Sequence, residues 1–105
     1  MDVPAISSGE LAASTAVLAA PGRLCGVFIV HDGTAADLVL EIWDSPDSTL
    51  TSDTQLTPDI TIAASPAAGA RSQLFWFGED GIHAAKGIYA KITCTGTKKF
   101  VVYYK

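Results

Sequence analysis

Gly22-Arg-Leu-Cys-Gly-Val-Phe-Ile-Val-His31, Asp32-Gly-Thr-Ala35 and Ala36-Asp-Leu-Val-Leu-Glu-Ile-Trp-Asp44 follow one another without a break. The outer two pieces are rich in β-branched and large apolar residues, and the middle one carries an Asp-Gly pair. Asp-Gly reaches positive φ at low cost and is a strong hairpin signal, so the stretch reads as two strands paired as a β-hairpin. The first strand is apolar almost throughout from Leu24 to Val30. Cys25, Val27 and Ile29 are expected on one side, and Leu24, Phe28 and Val30 on the other. An antiparallel strand with one wet side alternates apolar and polar residues. This one does not, so both of its sides are expected to be covered, one by the core and one by a loop or a second subunit. The second strand alternates cleanly, with Leu38, Leu40 and Ile42 inward and Asp37, Val39, Glu41 and Trp43 outward.

The same grammar recurs along the chain. Thr15 to Ala19 reads as a strand hairpinned to the next one through Pro21-Gly22. Ser45 to Pro58 is a polar loop with room for a short edge strand. Asp59 to Ala63 alternates through Ile60 and Ile62, and Ala64 to Ala70 is a small-residue link. Ser72 to Phe77 is a strand with four large apolar residues in a row, Leu74, Phe75, Trp76 and Phe77. Gly78 to Gly81 is a turn, and Ile82 to Lys86 is either a helical turn or an extended loop. Gly87 to Thr95 alternates with Ile88, Ala90, Ile92 and Cys94 inward. Thr95 to Lys98 is a tight turn, and Phe100 to Tyr104 is the last strand. Seven or eight short strands at this spacing specify an all-β, single-domain antiparallel β-sandwich of the jelly-roll kind. The domain spans residues 1–105, with 1–9 as an extended N-terminal arm.

Composition narrows the function classes. Of the 105 residues, 49% are hydrophobic and only 17% charged, so much of the surface is apolar or hydroxyl-bearing and suited to an interface. The net charge of −4 argues against nucleic-acid binding, which shows a basic footprint. Charge is also segregated along the chain. Seven acids and no Lys or Arg lie between Arg23 and Arg71, while five lysines and no acid follow Asp80. Such a division is either two solvated faces or complementarity between neighbouring copies. No apolar stretch is long enough for a membrane helix, and the N-terminus lacks the basic region of a signal peptide.

Chemistry-bearing patterns are absent. The chain has no GxGxxG, no GxxxxGK[ST], no HExxH, no CxxC and no EF-hand loop. Cys25, Cys94, His31 and His83 form no recognised ligand set, so no metal, cofactor or enzymatic activity is expected. The two thiols are expected to be free and buried as small hydrophobes, because a disulfide needs adjacent strands in register. The aromatics Trp43, Trp76, Tyr89, Tyr103 and Tyr104 either split between core and interface or form a stacking platform for a sugar.

Four pieces carry a family resemblance: Ala20-Pro-Gly-Arg-Leu24; Gly26-Val-Phe-Ile-Val30 with Asp32-Gly-Thr-Ala35; Leu40-Glu-Ile-Trp-Asp44; and Gly87-Ile-Tyr-Ala-Lys-Ile-Thr-Cys-Thr-Gly96 ahead of Val101-Val-Tyr-Tyr104. In these, and across most of its length from Ser8, the chain resembles the small β-sandwich structural proteins of tailed bacteriophages. The resemblance implies a non-enzymatic virion component, a capsid cement or decoration protein made in the host cytoplasm and bound to the outside of the head. Its implied partners are the major capsid protein and copies of itself, as a homotrimer, without nucleic acid or membrane. On that reading Arg23, Trp43, Trp76, Tyr103 and Lys105 are the expected interface residues. The alternatives are a carbohydrate- or receptor-binding module of a fibre or tail, marked by two coplanar aromatics flanked by carboxylates, and a neck or tail adaptor.

Overall fold

The computed structural model describes residues 4–31, 37–63, 71–94 and 98–105. Nine strands are present: β1 (Ile6–Ser7), β2 (Thr15–Leu18), β3 (Gly22–His31), β4 (Leu38–Trp43), β5 (Ile60–Ile62), β6 (Arg71–Trp76), β7 (Ile82–Ala84), β8 (Ile88–Thr93) and β9 (Lys98–Tyr104). Sheet A has the order β1-β9-β3-β6, with β7 continuing the β6 side of β3, and sheet B has the order β2-β8-β4-β5. All pairings are antiparallel. Read in order, the two sheets correspond: β1 with β2, β9 with β8, β3 with β4, β6 with β5. This is the strand order of a jelly roll, in which two-stranded ribbons fold across a sandwich, and β7 is an addition to it.

The topology corrects the sequence reading at the turns. Only β4 and β5, among consecutive strands, hydrogen-bond to each other. The runs on either side of Asp32-Gly33 sit in opposite sheets, as do β2 and β3, and β8 and β9. Burial of both apolar runs places β3 and β4 in different sheets, so they do not form the hairpin that Asp-Gly predicts. The expected turn at 32–36 lies outside the described residues, as do the expected link 64–70 and most of the expected turn 95–98. Ile82 to Ala84 is a strand because it completes the edge of β3, pairing with Gly22 to Leu24.

The core lies between the sheets. Leu24, Val27 and Ile29 of β3, with Phe100 and Val102 of β9, meet Leu38, Leu40 and Ile42 of β4 and Ile88, Ala90 and Ile92 of β8. The inward sets expected for β4 and for Ile88, Ala90 and Ile92 are as read from the sequence. For β3 the expected sides are wrong at one end. The register with β9 shifts between Leu24 and Gly26, a bulge at Cys25. One extra residue reverses the alternation, so Leu24 joins Val27 and Ile29 in the core. Cys94, expected inward on its strand, follows the end of β8 and is only half-buried. Both thiols are free.

Candidate functional site

Register places the outward side chains of sheet A in rows, because residues directly opposite in an antiparallel pair share a face. One row runs Tyr103, Gly26, Trp76; the next runs Val101, Phe28, Leu74; the third runs Lys99, Val30, Ser72. Two rows are therefore apolar apart from the Tyr103 hydroxyl and the Trp76 indole N–H. Leu74 is 55% exposed and Trp76 51%, the large values expected of side chains with nothing packed over them. Phe28, Val30, Val101 and Tyr103 are half-buried. Beside them a depression of about 130 Å³ is lined by Glu10, Phe28, Val30, Lys99, Phe100 and Val101.

Gly26 shapes the aromatic row. A β-carbon there would stand 2.7 Å from Cε3 of Trp76 and 2.7 Å from the Phe75 carbonyl oxygen. The indole therefore lies across the glycine, covering backbone that has no side chain of its own. Its far edge meets Tyr103, with ring centroids 6.4 Å apart and planes at 63°.

The rim of this face is basic. Arg23 and Lys105 exchange backbone hydrogen bonds of 3.0 and 2.9 Å at one end, and the Arg23 guanidinium donates to the Asp80 carbonyl at 3.2 Å. Lys99 stands at the other end, 3.4 Å from Glu10. No strand of sheet A contains an acid.

The outer side of sheet B differs. Glu41 opposes Lys91, with an N–O separation of 4.0 Å, and the Gln55 amide donates to Glu41 at 3.2 Å and to Asp59 at 2.7 Å. Past the end of β4 the Asp44 carboxylate accepts from the backbone N–H groups of Ala85 (3.2 Å), Lys86 (2.8 Å) and Gly87 (3.3 Å). Asp53, whose side chain is 8% exposed, pairs with Lys86 at 2.6 Å. Hydrogen bonding to Lys86, then to Ser45, holds the Asp53 carboxyl below its usual range, and Asp53 raises the Lys86 ammonium.

Four of the five expected interface residues, Arg23, Trp76, Tyr103 and Lys105, thus lie on the outer face of sheet A. Trp43 does not. It opposes Tyr89 on sheet B and is half-buried, its Nε1 enclosed without a hydrogen-bond partner, because the β4–β5 loop bridges back at Gln55. Phe28, Leu74 and Val101 were not singled out from the sequence, although the two-sided apolarity of β3 and the Leu74 to Phe77 run are their trace. Elsewhere, His31 is fully buried with Nε2 3.7 Å from the Cys94 sulfur, and His83 is exposed on β7 opposite Arg23. Among the described residues no three His, Cys, Asp or Glu side chains are grouped to hold a metal, and no helix is long and apolar enough to cross a membrane. No family model, curated protein or solved structure matches the chain.

Proposed function

We propose that this chain is a non-enzymatic structural protein of the capsid cement type, docking on the outside of a phage head through the outer face of sheet A. The observation that carries the reading is the pair of apolar rows, Tyr103–Gly26–Trp76 and Val101–Phe28–Leu74, of which Leu74 and Trp76 stand more than half exposed. A soluble domain rarely exposes such a patch without a partner for it. Aromatics at its centre and cations at its rim are the usual make-up of a protein interface, with Trp76 and Tyr103 as anchors and Arg23, Lys99 and Lys105 selecting an acidic surround. Bridging neighbouring capsid subunits adds buried area that exists only in the assembled shell, and mass action then stabilises the shell. A sugar platform is less well supported: the two rings stand at 63° rather than coplanar, and no carboxylate lies on the strands that carry them.

The test is occupancy on undecorated heads, measured by co-sedimentation with each variant's melting temperature as a folding control. Trp76→Ala and Tyr103→Ala are each expected to lower affinity about ten-fold or more, as hot-spot truncations do, while Lys91→Ala on sheet B leaves it unchanged. Wild-type protein that stays in the supernatant, or Trp76→Ala bound as well as wild type, sinks the proposal.

A further inference from the structure

Three of the four sheet edges in this sandwich are blunted. β1 is two residues long, β5 is three, and β2 is four with a register shift between Ala16 and Leu18. Short strands and bulges are how proteins keep an edge from pairing with another chain. β6 has neither. Its six residues pair with β3 in unbroken register from Gly26–Trp76 to His31–Arg71. Among the described residues no strand lies on its other side. Ser72, Gln73, Leu74 and Trp76 are all exposed. Gln73 is exposed even though it opposes the core residue Ile29, so the flank of the sandwich is open beside β6. The strand contains no Pro, no Lys and no acid that would repel a partner.

We infer that β6 pairs antiparallel with β6 of a second copy across a two-fold axis, with Leu74 opposite Leu74. Outward residues must meet outward residues, because a slip of one position turns every side chain to the wrong face. Centring on Leu74 sets Ser72 against Trp76 and Gln73 against Phe75 of the other copy. Centring on Gln73 would leave Trp76 outside the paired stretch, and centring on Phe75 would pair fewer residues of the strand. Charge agrees with this register. The one charged residue, Arg71, is the first of the strand, so the two-fold places the two arginines at opposite ends. Main-chain bonds along the edge, with Leu74 beside Leu74 and Trp76 beside Ser72 across the seam, bury on the order of 1,000 Å² in total, the low end for specific association, and leave the outer face of the sheet open. The pair is therefore a dissociable dimer whose two A sheets form one continuous sheet. Such pairing is a property of the chain alone and does not depend on what the apolar face docks on.

Solution mass by light scattering across a concentration series tests it, together with cysteine cross-linking. Wild type is expected to reach twice the chain mass at high concentration. Leu74→Lys, a lysine on a paired edge, is expected to stay at one chain mass with an unchanged far-UV spectrum. Leu74→Cys is expected to form a covalent dimer on mild oxidation about ten-fold faster than Ser72→Cys, because only position 74 faces itself at disulfide distance. A wild-type mass of one chain at all concentrations, or of three, overturns the pairing. So does a dimer that Leu74→Lys leaves intact, or equal cross-linking at positions 72 and 74.

Discussion

The outer faces of the two sheets are built from the same kind of alternating strand, yet they do opposite things with it. On sheet B the outward positions are spent on the domain itself. Glu41, Lys91, Gln55 and Asp59 bond to one another, and beyond the strand end Asp44 and Asp53 tie the β4–β5 region to the turn before β8. On sheet A the outward positions hold Phe28, Leu74, Trp76, Val101 and Tyr103, and two of these are more than half exposed. A face whose polar groups are satisfied internally contributes stability and offers little to a partner. A face of uncovered aromatic and aliphatic groups contributes less to the monomer and more to whatever covers it.

The sharpest way to break this contrast is at Asp44. Its carboxylate serves three backbone N–H groups, and Asp44→Ala leaves them without it. The expected loss is about 3 kcal/mol of unfolding free energy, read by urea titration. A loss under about 0.5 kcal/mol, the size of an ordinary surface change, would mean that this end of sheet B is not what holds the loop.

Gly26→Ala probes the other face. The new methyl meets both the Trp76 ring and the Phe75 carbonyl, and overpacking of this kind costs about 2 kcal/mol. Because the ring must lift, tryptophan fluorescence is expected to shift with it. Stability lost without a change in fluorescence would place the strain in the backbone alone.

The smallest effect is electrostatic. Asp53 titrates below its usual range when folded, chiefly through its hydrogen bond to Lys86. Its contribution is therefore present above about pH 4, the ordinary carboxylate value, and is lost as pH falls through the folded value. Lys86 is raised, so its share persists until pH climbs past the ordinary lysine range. The difference in melting temperature between wild type and Asp53→Asn is expected to be flat between about pH 5 and 9, to vanish in acid, and to shrink in high salt. A difference that persists at pH 2 would contradict the pairing.

Much of the fold was legible because two-residue alternation survives wherever a strand is regular. Leu38, Leu40 and Ile42, and Ile88, Ala90 and Ile92, announced their own burial. The failures have one physical origin, which is that sequence shows periodicity and not pairing. The bulge at Cys25 inverts the first end of β3 without leaving any mark in residue type. Asp32-Gly33 suggested a hairpin between its flanking strands, and the burial of both runs places them in different sheets instead. The apolar outer face of sheet A was half legible. An excess of large apolar residues in β3 and β6 was plain, and Trp76, Tyr103, Arg23 and Lys105 were picked from it. That Trp43 stands on the other side follows from the register of β4 with β8, which composition does not encode.

The position of β9 has a consequence for how the molecule comes into being. Ser8 exchanges hydrogen bonds with Val102, 94 residues later, and β9 lies between β1 and β3. A ribosome delivers β3 long before the strand that will lie beside it. Until then its Leu24 to Val30 run has one side without its neighbour. Contacts this distant in sequence make for folding on the millisecond-to-second scale rather than in microseconds. The nascent chain is thus exposed to misassociation for most of its synthesis, and sheet A closes only once residues 98–104 have been made.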